Sequence, residues 1–520
     1  MQIEINERFK EAFDLMENTD KHVLITGRAG TGKSTLLEYF RSKTKKNIVV
    51  LAPTGVAAVN VKGVTIHSFF KFKPDIALNK IKKERDNRIY KSLDAIVIDE
   101  ISMVRADLLD CIDRFMRLNG RDEEKPFGGV QMIFFGDLYQ LPPVVKAGER
   151  LIFKQHYKSS YFFDSKVFEK IRIEFVELEK IYRQKDEKFI RLLNAIRNNS
   201  FTDKDIEEIN KRVIEDFKED PNDFYIRLTS TKKLAEEINE RNLSMLKGRL
   251  YEYSGIIKGQ FHESYLPVEK ELRLKIGAQV MLVNNDSLGR WVNGSIGKIA
   301  SIERNEEEND LINIELSDGK EFGVYPYTWN IYEATLDEAT GSIDYKPIGS
   351  FTQYPIKLAW AITIHKSQGK TFDKVIIDFG KGAFAHGQVY VALSRCTSLE
   401  GIVLKRPIRR EDIIVDWRIA KFLARLQYKI AEERLPQEKK VKILQQAIKE
   451  GKHLKIVYLK ENDVKSERLI KPLKVSEMSY MNKRYLGLLA YCYKSNKVRT
   501  FRVDRIINID TNYIDDSDED

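Results

Sequence analysis

The sequence predicts an α/β protein built on a parallel sheet with helices on both faces. Three observations carry that expectation. Gly27 to Thr35 reads GRAGTGKST, a phosphate-loop pattern set between the apolar run His22 to Thr26 and a helix-prone start at Ser34. Further short apolar runs follow at Asn47 to Ala52, Ala95 to Asp99 and Met132 to Gly136, with helix-prone stretches between them. Strands alternating with helices in this way build parallel sheets.

The opening stretch Ile3 to Asn18 predicts a helix. In the phosphate loop, glycines let successive N–H groups converge on one phosphate, and the following helix N-terminus adds positive potential. Lys33 has the reach for the β- and γ-phosphates, and Ser34 carries a hydroxyl suited to Mg²⁺. Next comes APTGVAAVNVKGVTIHSFF, Ala52 to Phe70, and then a basic, helix-prone insert from Lys71 to Leu93 containing KIKKERDNR. That insert reads either as a solvated surface helix or as an arm facing nucleic acid.

Asp99 and Glu100 close the run AIVID at a strand's C-terminal end, where open α/β sheets place their sites. One carboxylate can hold a metal through water while the other activates the attacking water. Gln140, in GDLYQLPPV, stands where an amide bonds both water and γ-phosphate; an ordinary turn glutamine is the plain alternative. A second α/β region is expected to start near Arg172 with the strand EFVELEK, followed by Tyr182-Arg183-Gln184. Arg183 and Arg395 are candidate arginine fingers from that second region, able to neutralise transition-state charge if ATP binds between two domains.

From Tyr251 to Tyr354 short β-rich runs alternate with turns, which predicts a small antiparallel barrel inserted into the second α/β domain. The α/β pattern resumes at Leu358 and runs to about Pro407. Ile414 to Glu450 is helical with a break at Pro436, and Leu454 to Ile509 is β-rich. The acidic tail after Ile514 has the composition of a disordered segment.

Bulk numbers bound the class. The chain has 520 residues and a net charge of +10, although five of its last six residues are acidic, which leaves +15 on the remainder. A basic body suggests a polyanionic partner, while a Lys- and Glu-rich surface of a heat-adapted protein would look similar. Cys111, Cys396 and Cys492 lie far apart without metal spacing, so a reduced, intracellular protein is expected. No apolar run approaches a membrane span and no signal segment opens the chain.

Read together, GRAGTGKS, APTGVAAVNVKGVTIHSFF, VIDEISMV, GDLYQLPP, YRQ, LAWAITIHKSQG and VALSRC resemble the ordered motifs of a superfamily 1B helicase. Asp107 to Asp137 resembles the signature stretch of the Pif family of DNA helicases. The resemblance covers about residues 3 to 410. It implies an ATP- and Mg²⁺-dependent motor that walks 5′→3′ on single-stranded DNA and unwinds duplexes, forked ends and often G-quadruplexes. It is expected to act as a monomer, with a dimer on DNA open, in a bacterial cytoplasm on the nucleoid and in DNA repair and recombination. By motif position, Gly27, Ala29, Gly30, Thr31, Gly32, Lys33, Ser34 and Thr35 hold the phosphates, Ser34 and Asp99 hold Mg²⁺, and Glu100 is the catalytic base. Gln140 is the γ-phosphate sensor, Arg183 and Arg395 are the fingers, and Gln368-Gly369 faces the nucleotide. Thr54, His67, Thr363, His365 and Lys366 fall in the motifs that hold DNA; for the two histidines a core or capping role is the alternative. The family's adenine-reading glutamine has no clear counterpart, since only Gln2 and Asn6 lie nearby; an Asn6 amide offers the same paired donor and acceptor.

The resemblance implies two RecA-like domains, residues 1–172 with a basic arm near 71–93, and 173–250 with 355–413. The barrel would span 251–354, where Tyr325, Tyr327 and Trp329 either stack on bases or pack at its base. A helical linker is expected over 414–451. Residues 452–514, with LKIVYL, RLIKP and RYLGLLAYCYKSNKVRTFRVDRI, resemble a WYL domain, followed by the acidic tail 515–520. In that module Tyr458, Arg468, Tyr485, Arg499, Arg502 and Arg505 form an aromatic and basic set suited to a nucleic-acid strand, or else a set of solvated arginines. A nucleotide-switched clamp that grips single strands without unwinding is the competing function, but the full set of Glu100, Gln140 and two arginines exceeds what a clamp requires.

Overall fold

The computed structural model describes residues 5–73, 76–145, 149–184, 186–220, 222–304, 309–380, 382–480 and 483–510. The chain divides into two compact units, one of residues 1–197 and 201–414, the other of 198–200 and 415–520.

The first unit holds two parallel sheets. Strands β1 (His22–Gly27), β2 (Ile48–Ala52), β3 (Val64–Thr65), β4 (Ala95–Ile98), β5 (Gln131–Phe135) and β6 (Ile173–Leu178) pair in the order β3-β2-β4-β5-β1-β6. All five ladders are parallel. β1, β2, β4 and β5 are near-continuous apolar runs because helices cover both faces. The opening helix Glu7–Asn18 is capped by Asn6 and buries Phe9, Ala12 and Met16 against Leu36, Leu37 and Phe40 of the helix Lys33–Lys43. The second sheet orders the strands Ala361–Thr363, Ile226–Thr229, Val375–Asp378 and Ile402–Leu404, again all parallel.

Three expectations change here. The strand within EFVELEK is β6 of the first sheet, paired along its whole length with β1, so the first domain runs past residue 172. A two-strand β1 edge would leave its N–H and C=O groups unpaired, and β6 covers them. The basic stretch Lys71 to Leu93 is not one surface helix: among its described residues a 3₁₀ turn Leu78–Lys80 and the helix Arg88–Ser92 form. Its apolar residues decide this, since Phe72 and Tyr90 are buried with Phe69, Phe70 and Phe115 in an aromatic cluster. The inserted region is antiparallel as expected, but its ladders form sheets of five, three and two strands. Among the described residues no ladder joins the outer strands Glu321–Val324 and Ile356–Leu358 of the five-stranded sheet into a closed barrel.

The hairpin Tyr327–Leu336/Ile343–Gln353 of the insert reaches back to the first domain. The Val50 N–H of β2 donates to the Tyr345 hydroxyl at 3.1 Å, and Arg41 lies over the Tyr345 ring. A side chain on Gly55 would overlap the Tyr265 ring of the insert, which lies against the start of the helix after β2.

In the second unit a five-stranded antiparallel sheet orders Lys497–Arg502, Lys483–Cys492, Lys465–Tyr480, Leu454–Leu459 and Ile506–Asp510. The expected linker is part of this unit. Leu444 and Ala447 of the helix Gln437–Glu450 belong to the same core as Ile456, Ile470 and Leu488, and Gln427 of the preceding helix donates to Asp463. Pro436 separates the two helices, as expected. The acidic tail lies outside the described residues. No described helix is long and apolar enough to cross a membrane, and all three cysteines are buried free thiols.

Candidate active site

The site gathers at the C-terminal ends of β1, β4 and β5, facing the second parallel sheet. β1 ends at Gly27, where the loop Arg28–Gly32 turns into the helix Lys33–Lys43. Gly30 and Gly32 sit at φ +79° and +87°, in the left-handed region that side chains resist. Gly30 is doubly constrained, since a Cβ there would lie 2.5 Å from that of Arg183. Thr31 is buried and its hydroxyl donates to Arg28 O, while the Lys33 ammonium donates to Gly27 O and Arg28 O at 2.7 and 3.0 Å. Burial pulls Lys33 below its ordinary value, against the pull of Asp137, Glu100 and Asp99. Ala29 is buried within the loop, and Ser34 and Thr35 open the helix.

β4 delivers Asp99 and Glu100. Burial raises both carboxyls; for Glu100 the charge of Asp99 adds to burial and takes it to about 7. Glu100 also sits at φ +51°, a left-handed backbone for a non-glycine residue. Strain of this kind is tolerated where surrounding structure fixes it, and such positions cluster at functional sites. β5 delivers Asp137 and Gln140. The Gln140 Nε2 donates to Asp137 at 3.2 Å, and its Oε1 accepts from Gln368 at 3.3 Å.

The second domain supplies the opposite wall. Arg395 is buried, and its guanidinium donates to Val391 O, Ser367 O, Lys370 O and the Ser394 hydroxyl. Burial, then the charge of Arg183, lowers it to about 9, with Asp137 and Glu100 among the charges opposing. Arg183 follows β6 directly, on the strand-to-domain connection rather than inside the second sheet, and donates to Ser394 O and Gly369 O. Phosphate loop, paired carboxylates, glutamine and both arginines therefore meet in one interdomain cleft. A phosphate loop opposite two cations can hold a nucleoside triphosphate. The Ser34 hydroxyl and Asp99 carboxylate fit Mg²⁺, which takes few protein ligands and completes its shell with phosphate and water. Among the described residues no cluster of three or more His, Cys, Asp or Glu offers an all-protein metal cage.

Asn6 stands at the loop's outer edge, but its Oδ1 caps the opening helix by accepting Phe9 N–H, so the paired donor and acceptor is half spent. Its Nδ2 donates to the Tyr182 hydroxyl at 3.3 Å. Gln2 lies outside the described residues. Sequence reasoning passed over Tyr182, whose half-exposed ring stands beside the loop: its N–H donates to Gly30 O, and its ring lies 3.9 Å from where a Cβ on Gly32 would be. It also passed over Asp137, Arg197 and Tyr390, all buried in the cleft. The first carried no signal beyond its place in GDLYQ.

The DNA-motif residues lie at strand ends in both domains. Thr54 caps the helix Gly55–Asn60 after β2 and is exposed. His67 is half-buried after β3; burial, then Arg105, lowers it. Thr363 is buried and accepts from Lys366 N–H, while His365 and Lys366 are exposed. Trp329 is buried and stacked on Phe351, whereas Tyr325 and Tyr327 are exposed.

Four members of the set in the C-terminal sheet come together: the Tyr458 hydroxyl accepts the Arg502 N–H at 3.5 Å and a bond from the Arg505 side chain, and Arg502 reaches on to Tyr485, while Arg468 and Arg499 bond serines. Arg502 lies over the Tyr485 ring at 5.0 Å and pairs with Asp504. Arg505 pairs with Glu461, Arg468 and Arg499 donate to Ser466 and Ser495, and Tyr458 packs edge-on against Phe501.

The PIF1-like helicase family model matches residues 3–207, the WYL domain model residues 439–511, and a helicase model residues 329–426. The ATP-dependent DNA helicase Pif1 of Bdellovibrio bacteriovorus is 33% identical over 434 residues, which cover 81% of this chain and 92% of that protein. The human ATP-dependent DNA helicase PIF1 is 35% identical over 393 residues, 73% of this chain but 57% of the human protein. Unliganded Pif1 from Bacteroides sp superposes with a TM-score of 0.74 at 39% identity, covering 81% of this chain and 97% of that one. The Bacteroides Pif1 complex with ADP-AlF4 gives 0.74 at 38% identity, covering 83% and 98%.

Proposed function

The chain belongs to the PIF1-like helicase family, and from that premise we propose that it is an ATP-driven motor that moves 5′→3′ along single-stranded DNA and separates duplexes. The observation that carries this reading is the interdomain cleft. Lys33 and Glu100 come from one parallel sheet, while Arg395 and Gln368 come with the other. ATP bound there draws the two domains together, and its hydrolysis lets them part.

In this reading the loop N–H groups from Gly27 to Thr35, apart from that of Ala29, which donates to the Tyr390 hydroxyl, and the Lys33 ammonium hold the β- and γ-phosphates, and Tyr182 lies against the base. Ser34 and Asp99 would hold Mg²⁺, whose charge would offset that of the phosphates. Glu100 takes the proton of the attacking water, Gln140 orients that water, and Arg183 and Arg395 offset the charge that develops on the γ-phosphate. Thr54 and His67 on the first domain, and Thr363, His365 and Lys366 on the second, grip the DNA backbone alternately. Such a grip is sequence-tolerant and weakens steeply with salt. The WYL domain adjusts DNA affinity or the coupling of hydrolysis to movement.

Bacteroides Pif1 has been solved bound to single-stranded DNA, and two coordinating Pif1 helicases at forked duplex DNA; forked ends and a dimer on DNA are therefore natural extensions here, and G-quadruplexes enter the proposal through the sequence resemblance alone. The test is strand separation on two tailed duplexes, one with a 5′ tail and one with a 3′ tail, with ATP and Mg²⁺. Unwinding from the 5′ tail alone, lost in Glu100→Gln, is the expected result. ATP turnover without separation of either duplex would overturn the helicase reading in favour of a single-strand clamp.

A further inference from the structure

Asp137 is a junction between the two motor domains. Its side chain is fully buried, and four donors surround it. Two come from its own loop: Tyr139 N–H to Oδ1 at 3.2 Å and Gln140 Nε2 to Oδ2 at 3.2 Å. Two come from the second domain: the Tyr390 hydroxyl donates to Oδ2 at 3.4 Å, and Arg197 Nη2, 3.7 Å from Oδ1, makes an ion pair rather than a hydrogen bond. The Tyr390 hydroxyl also accepts the Ala29 N–H of the phosphate loop at 3.3 Å. Arg197 ends the helix Glu187–Arg197, is buried, and holds its guanidinium 4.1 Å from the centre of the Tyr139 ring.

Burying an arginine and an aspartate costs several kcal/mol per ion before their attraction repays it. A purely adhesive interface would gain more from apolar side chains. These charges instead sit one hydrogen bond away from Gln140. That amide is held at both ends, its nitrogen by Asp137 and its oxygen by Gln368 of the second domain. Any shift of the second domain that moves Arg197 or Tyr390 moves the carboxylate, and with it the direction in which the Gln140 amide points. The helix Gln388–Leu393 that carries Tyr390 also leads directly to Arg395.

We infer that Arg197 and Tyr390 are positioning residues that act through Asp137 to set the Gln140 amide, and so make ATP turnover depend on how the DNA-bearing domains sit. The inference rests on the motor reading above. Neither residue touches the nucleotide in this scheme.

The experiment uses the full chain and compares ATP turnover with and without single-stranded DNA for Tyr390→Phe, Arg197→Met, Arg197→Lys and the double variant Arg197→Met/Asp137→Asn. Thermal melting accompanies each. The expected result for Tyr390→Phe and Arg197→Met is a fall of about tenfold or more in DNA stimulation, with the KM for ATP held within about threefold. Arg197→Lys, which keeps the charge, recovers part of the stimulation. If Arg197→Met fails to fold because it strands a buried carboxylate, Tyr390→Phe, which removes one oxygen, and the charge-balanced double variant decide the matter. Native-level stimulation in those folded variants overturns the inference, as does a loss that appears only in KM. A native chain without DNA stimulation would instead sink the motor reading, and this inference with it.

Discussion

Glu100 joins two features that rarely meet in a side chain without a job: a left-handed backbone and a carboxyl raised to about 7 by burial and by Asp99. Both follow from its place after β4, where the strand ends inside the cleft. A base works only when ionised. The sign is therefore fixed: with its pKa raised, Glu100 is protonated and idle on the acid side, and turnover climbs with pH, with a midpoint that Mg²⁺ beside Asp99 draws below the metal-free value of about 7. The kcat profile for DNA-stimulated hydrolysis should show this ascending limb, and a profile flat from about pH 4 to 8 would remove Glu100 from the role. Glu100→Gln should lower turnover by about 10³-fold or more with the melting temperature unchanged or raised, since it removes a buried charge. Arg183 and Arg395 stood out only through the motifs YRQ and VALSRC that carry them, whereas phosphate loop and carboxylate pair were legible in the sequence because each is written in adjacent residues of a fixed type. Tyr390 and Arg197 were not, because their significance lies in a contact with Asp137 across more than fifty residues of chain, and nothing local to either one marks it.

The elements show where local reading succeeds and where it stops. Apolar runs bounded by turns identified β1, β2, β4 and β5 because a central parallel strand must be apolar on both faces. β6 was assigned to the wrong sheet for the converse reason: Glu174 and Glu177 make it read as a strand of either domain, and only its pairing with β1 settles the matter. The long insert hairpin is a case that hydropathy cannot reach. Its Tyr345 looks like any strand tyrosine, yet its hydroxyl takes the Val50 N–H on the edge of β2 where the short β3 does not pair. Tyr345→Phe keeps the ring under Arg41 and removes only that acceptor. A buried N–H left without a partner costs about 1–3 kcal/mol. Chemical denaturation of the full chain should therefore show a loss of that order in the transition that reports the motor unit. An unchanged midpoint would mean that solvent reaches Val50 N–H and that the hairpin is not the edge's cover.

At the scale of the whole molecule, the division into units decides how the C-terminal module can be removed. The sequence suggests a cut at Lys452, after a helical linker, because amphipathic helices between domains read the same whether they bridge or belong. Packing distinguishes them. Leu444 and Ala447 lie in one core with Leu454, Ile456 and Ile470, Lys440 is buried and paired with Glu432, and Tyr428 donates to Leu459 O. A chain ending at 451 would keep two helices and lose the sheet that covers them, exposing apolar side chains worth about 2 kcal/mol each when buried. A chain ending at Ile414 retains both parallel sheets, the insert and every residue of the cleft, and it ends where the compact unit ends. The shorter chain should therefore be monodisperse, melt cooperatively and hydrolyse ATP in response to single-stranded DNA. The chain cut at 451 should aggregate or bind a hydrophobic dye. With the stable truncation in hand, the WYL domain's contribution becomes a direct comparison of DNA affinity and of ATP used per base pair separated. Equal values for the full and truncated chains would show that the module serves neither, and a higher stimulated turnover in the truncated chain would assign it a restraining role.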